Sequence, residues 1–131
     1  MMNLALFTPL TWVGAILGLI PALMIIYIGV AYTLAPEATA RGFGFRSAVT
    51  ADVIPWQHIK GARDIASGLI IIAMLVFFGP IATAVALLIE ALIPLGDGLT
   101  IIRHRGRLSA AIGIHFSTVA VMIIAAVLLL I

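Results

Sequence analysis

Five ionisable side chains stand inside stretches that are otherwise apolar: Arg63 and Asp64, Glu90, Asp97 and His115. A charged group at the centre of a membrane helix costs about 2.5–3.5 kcal/mol. Groups in such places therefore face one another or a cavity rather than lipid. The set holds three carboxyls against one fixed cation, Arg63, and one optional cation, His115. Arg63 is expected to hold one or two of the carboxylates by bidentate pairing. Glu90, the deepest, is expected to keep a proton or to share one with His115. A proton that can sit on either of two groups is what acid–base chemistry or proton coupling needs. Asp97, His115 and Glu90 are thus the candidate catalytic residues, and Arg63, Asp64 and Tyr27 the candidate ligand-binding ones. An architectural role competes, above all for Arg63 with Asp64 or Asp97, because interior ion pairs also specify helix arrangement.

Other chemistry is narrowed by what accompanies these residues. The chain has no cysteine, so thiolate nucleophiles, disulfides and Cys-ligated clusters are excluded. Glu90, Asp97 and His115 form a conceivable metal set, but no His-x-x-x-His pair supports it and no metal is expected. His115 is the only deeply placed histidine, which argues against bis-His haem ligation. No cofactor is assigned.

Four helices must position these groups, at about residues 11–35, 56–79, 81–102 and 109–131. The expected fold is an all-α, single-domain, four-transmembrane-helix bundle. A hydrocarbon core of about 30 Å needs about 20 residues at about 1.5 Å each. In the second helix the charge-free run 65–79 covers only about 22 Å, so Arg63 and Asp64 are expected to be drawn into the bilayer. Glu90 falls near the middle of the third helix. Asp97 lies seven residues on, at almost the same helical angle and about two turns nearer the charged connections. His115 enters the fourth helix from that same side, and Tyr27 and Tyr32 lie at matching depth on the first. Pro21 and Pro94 are potential kinks. Asp52 and Ser109 are potential N-caps, Gly79-Pro80 a tight turn, and residues 36–55 a polar connection in which Gly42 and Gly44 suit a turn. Gly14 and Gly18 read as a close-packing face within the bundle.

The basic residues set the orientation. Arg41, Arg46 and Lys60 flank the first connection and Arg103, Arg105 and Arg107 fill the third, while the second has none. The positive-inside rule places the charged connections in the cytoplasm and both termini outside, N-out and C-out. Lys60 and His58 read as interfacial anchors, and the 103–107 run as a topology signal that also suits lipid phosphate.

Composition agrees. The chain is 64% hydrophobic and 9% charged, against roughly 45–50% and 25% in soluble proteins. A domain of 131 residues cannot hide that much apolar surface, so a lipid bilayer is the expected partner. No continuous basic face runs along any element, and nucleic acid is not an expected partner. The first apolar segment is read as a retained helix, because no basic residue precedes it and it exceeds the roughly 7–15 residues of a signal h-region. A homo-oligomer is left open.

Four ordered motifs carry a resemblance over nearly the whole chain. Pro36-Glu37-Ala38 through Arg41-Gly42-Phe43-Gly44, then Lys60-Gly61-Ala62-Arg63-Asp64 with Gly68, then Pro94-Leu95-Gly96-Asp97, and finally Gly113-Ile114-His115 resemble a family of small four-helix membrane proteins. It is of the domain-of-unknown-function 4267 type and distantly similar to DoxX-type proteins. The resemblance implies a four-helix fold with Arg63, Asp64, Asp97 and His115 as recurring polar positions. Glu90 lies outside that pattern.

The leading functional expectation is an enzyme or binding protein for a small lipophilic molecule reached from the cytoplasmic half. Asp97 and His115 would exchange protons with it, Arg63 would hold Asp64 or an anionic ligand group, and Glu90 would close the pocket. A structural or accessory membrane subunit is the alternative. A small proton-coupled transporter fits less well, because the outer half offers no polar path.

Overall fold

The computed structural model describes residues 7–47 and 49–131. Helix α1 spans Pro9–Leu34. Its first turn is held by Thr8, whose hydroxyl accepts from the Thr11 amide, with Pro9 at a position that needs no amide donor. A short helix α2, Pro36–Phe43, follows at once. Helix α3 spans Ala51–Phe78: a 3₁₀ turn Ala51–Val53, an α-helical body Ile54–Ala73 and a closing π-helical stretch Met74–Phe78. After a turn at Gly79, α4 spans Pro80–Arg103, broken at Ala91 between two α-helical halves. Helix α5, Leu108–Leu130, is π-helical over Ala111–Phe116 and α-helical from Ser117.

The described residues are all-α and form five helices, of which four are long and apolar enough to cross a membrane. Large apolar side chains cover their outward faces, among them Ile16, Leu23, Leu69, Leu92 and Val127. In water such a surface would be untenable. In lipid it is the expected exterior, and the chain is an integral multi-pass membrane protein. Exposed Trp12 and Trp56 each lie near the start of their helix, and because α1 and α3 run antiparallel they sit at opposite ends of the bundle, as interfacial aromatic residues do.

Three expectations about the elements are corrected. Residues 36–43, inside the expected polar connection, are helical: Pro36 opens the helix and Arg41 follows Glu37 by one turn, 3.7 Å away. Gly44, at φ 131°, ends it where an L-residue would be strained. The second membrane helix starts near Ala51, so Asp52 lies inside its first turn instead of capping it. Arg107, not Ser109, precedes α5, and no side chain caps that end.

Small residues set the helix contacts, because close backbone approach is what associates helices in lipid. Along the α1–α3 seam, a Cβ on Gly29 would meet the Gly61 carbonyl at 2.6 Å, and one on Gly68 would strike the Ala22 carbonyl. Gly14 lies against Ala125 and Leu129 of α5, and Gly18 against Leu87 of α4, so this pair packs within the bundle. The core sits in the half away from the charged connections, around Ala22, Ile71, Ala84, Leu87, Met122, Ala125 and Leu129.

Toward the charged end the bundle divides. Helix α1 stays against α3, while the Leu92–Arg103 half of α4 packs on the Ala111–Phe116 stretch of α5, where the Phe116 ring covers Gly98. The two pairs share little packing at that level. The space between them holds the polar residues.

Candidate functional site

A cavity of about 770 Å³ lies between the two helix pairs, within the roughly 300–1,000 Å³ typical of small-molecule sites. Departures from regular helix geometry line it. Pro21 faces it from α1 and Pro94 from α4; each lacks the amide that would have reached the carbonyl four residues earlier. For Pro94 that carbonyl belongs to Glu90, and the helix breaks at the next residue, Ala91. On α5 the π-helical stretch presents Gly113, Ile114 and His115 to the cavity. Such widened turns are frequent at functional sites. Their carbonyls are partly satisfied by side chains, as Ser117 Oγ donates to Gly113 O (2.9 Å) and Thr118 Oγ1 to Ile114 O (2.7 Å).

The polar end of the cavity is built around Lys60. Its Nζ donates to both Asp64 oxygens, at 3.0 and 2.9 Å, and stands 4.0 Å from Asp97 Oδ2. It also lies over the rings of Tyr32 (5.3 Å) and Phe43 (5.5 Å), a favourable place for a cation out of water. Asp97 Oδ2 is in turn 3.8 Å from His115 Nδ1. The other nitrogen of that ring, Nε2, is 3.2 Å from the Phe43 carbonyl. A carbonyl only accepts, so Nε2 carries the hydrogen, and Nδ1 is left to face the carboxyl. At 3.8 Å the Nδ1 and Oδ2 atoms are within ion-pair range but beyond hydrogen-bond distance. The Phe43 ring packs edge-on against the imidazole at 4.8 Å between centroids.

Helix α2 is the floor of the site. Phe43, at its end, contributes a ring to Lys60 and a carbonyl to His115. Arg107 anchors that end, donating from Nη2 to Arg41 O and Gly42 O, both at 3.1 Å, while its amide donates to Gly44 O at 2.8 Å. One member of the basic run thus closes the floor. Below it lies a second, smaller cavity of about 200 Å³ that shares Tyr32, Phe43 and Lys60 with the first.

Of the residues singled out from the sequence, Tyr27, Asp64, Glu90, Asp97 and His115 all line the one cavity. Asp64 and His115 are buried, whereas Tyr27 is 75% exposed and stands at the rim. Tyr32, 2% exposed, is the buried tyrosine. Glu90 is partly buried in the α4 wall and has no hydrogen bond or ion pair among the described residues, so the proton expected to be shared with His115 has no direct route between them.

Arg63 is the clear departure: it is exposed, does not line the cavity, and enters no ion pair among the described residues. Successive helical residues point about 100° apart, and on α3 it is Asp64 that turns into the bundle while Arg63 stays exposed. Lys60, read from the sequence as an interfacial anchor, is the interior cation. Its i,i+4 spacing to Asp64 was the available signal. Phe43 carries no comparable signal, because its helix of 8 residues is too short to show a facing pattern in the sequence. No three His, Asp or Glu side chains among the described residues converge as a metal-ligating group.

Four membrane-length helices around a cavity with a lysine, two aspartates and a histidine at one end define a small multi-pass membrane protein with an interior polar site. Residues 22–129 match the family described as Domain of unknown function (DUF4267), and the chain belongs to it. That match takes in every residue of the polar end. Neither the curated proteins nor the solved structures contain a match.

Proposed function

We propose that this protein binds a small lipophilic molecule in the cavity between its helix pairs and exchanges a proton with it through Asp97 and His115. The observation that carries this reading is the pairing of His115 Nδ1 with Asp97 Oδ2 at 3.8 Å on the wall of a 770 Å³ cavity. With Nε2–H engaged by Phe43, proton transfer at the ring is confined to Nδ1, beside the carboxyl and the cavity. A positioned acid–base pair contributes typically about 10²–10⁴ in rate, so isomerisation or ring opening by proton transfer lies within its reach. Lys60 restrains Asp64 and steadies the charge on Asp97. The charge bias of the connections supports a cytoplasmic location for the polar end, with both termini outside.

A second reading has its own support. Lys60, Asp97 and His115 link the two helix pairs where packing between them is sparse, which is what a purely architectural clamp would do in a structural or accessory subunit. Mass spectrometry of molecules copurifying with wild type, Asp97→Asn and His115→Phe separates the two. Binding predicts a ligand lost or unconverted in variants whose thermal unfolding is within a few degrees of wild type. A clamp predicts lowered unfolding temperatures and no ligand in any sample; that result would end the binding proposal.

A further inference from the structure

We infer that the ligand is an amphiphile with a basic nitrogen, admitted sideways from the bilayer and held by Glu90 as its counter-ion. This rests on the reading of the cavity as a ligand site and adds the ligand's chemical class and its route.

The route follows from residues that both line the cavity and lie exposed. On α1 these include Ile20, Met24 and Tyr27, at 47%, 52% and 75%, and on α5 Ile114, at 46%. All belong to membrane-length helices and none is charged. A mouth with such lips opens to acyl chains, so what passes through it is already dissolved in the membrane. The opposite end is floored by Phe43 and Lys60.

The class follows from charge. Lys60 faces two carboxyls, Asp64 and Asp97, and His115 stands 3.8 Å from the second. Glu90 then remains, facing the same cavity without an ion-pair partner among the described residues. Among the described residues that line the cavity, three are carboxyls, Asp64, Glu90 and Asp97, and Lys60 is the one fixed cation. A carboxylate or phosphate head would meet uncompensated carboxyls in a setting of low dielectric, where like charges are strongly disfavoured. An ammonium head meets the opposite: a charge-assisted hydrogen bond to Glu90 is roughly twice as strong as a neutral one, and pairing relieves two desolvated charges together. Glu90 and Asp97 are seven residues apart, about 10 Å along α4. A head group paired at Glu90 therefore leaves room for a second polar group to reach Asp97 and His115.

The test uses the full chain in phosphatidylcholine nanodiscs and three photoreactive probes with one ten-carbon diazirine tail. Their heads are a dimethylamine, a hydroxyl and a carboxylate. Labelling of the cavity-facing parts of α1 and α5 is mapped by peptide mass spectrometry. The amine is expected to label at a concentration at least about tenfold below the alcohol, with the carboxylate weakest. Glu90→Gln is expected to reduce the amine to the level of the alcohol, and Glu90→Asp to retain its advantage. A carboxylate that labels as well as the amine, or an amine preference that survives in Glu90→Gln, overturns the inference. If Glu90→Gln does not fold, the head-group order on the wild-type protein decides alone. An alcohol that labels the cavity without an amine advantage sinks the amine and spares the proposed function. Absence of cavity labelling by all three defeats both.

Discussion

Lys60 Nζ lies 4.0 Å from Asp97 Oδ2 although α3 and the Leu92–Arg103 half of α4 otherwise share almost no packing. The same ammonium is fully engaged by Asp64 one turn along its own helix. One cation thus serves two carboxylates on two helices, and joins two halves of a bundle that separate around a cavity.

That arrangement predicts a contrast between neighbouring cations. Lys60→Met strands the Asp64 carboxylate, whose side chain is only 7% exposed. Breaking a fully buried pair costs about 3–5 kcal/mol. Lys60 is itself 28% exposed, so a loss of about 2 kcal/mol is expected, with most of it recovered in Lys60→Met/Asp64→Asn. Arg63→Gln should change stability by no more than about 0.5 kcal/mol. Thermal unfolding in detergent measures all three, and a larger loss for Arg63→Gln than for Lys60→Met would contradict the assignment.

The α1–α3 seam predicts a second contrast, among glycines. Gly61→Ala forces a Cβ into the Gly29 carbonyl at 2.6 Å, and overpacking of this kind costs about 1–3 kcal/mol. Gly96, inside α4, has nothing within 4 Å of its would-be Cβ. Gly96→Ala should therefore stabilise by up to about 1 kcal/mol, the helix-propensity difference. Equal destabilisation by both would mean that helix approach is not what Gly61 permits.

Arg107 tests the floor. Its guanidinium holds the last carbonyls of α2, so Arg107→Ala should let that helix fray. Backbone amide exchange over residues 36–43 is expected to speed up severalfold, with α3 unchanged. Uniform acceleration throughout the chain would point to global destabilisation instead.

A chain without cysteine lends itself to topology mapping. Arg105→Cys, in the basic connection, should react with a membrane-impermeant maleimide only after the cells are opened. Phe78→Cys, at the far end of α3 and 67% exposed, should react on intact cells. The reverse pattern would invert the proposed orientation.

Several of these features were legible in the linear chain because bilayer physics acts on composition. Long uncharged runs must be helical in lipid, since no water satisfies the backbone there. The depth of Glu90, Asp97 and His115 follows from counting residues along a helix, and in the structure all three line one cavity. The close-packing role of Gly14 and Gly18 likewise needed only their spacing and the absence of side chains.

What a residue count does not supply is rotation and neighbourhood. Arg63 and Asp64 sit at one depth, and only the packing of α3 against α1 decided which turned inward: Gly61 and Gly68 face α1, and Asp64, between them on that stripe, is buried while Arg63 is not. Lys60 became the interior cation because it lies one turn below Asp64 on the same face. Phe43 reached His115 across 72 positions of sequence through a helix whose eight residues, Pro36–Phe43, give too short a pattern to separate from a loop. Depth is a one-dimensional property that hydrophobic length dictates; facing is a three-dimensional one that arises when helices choose which sides to bury.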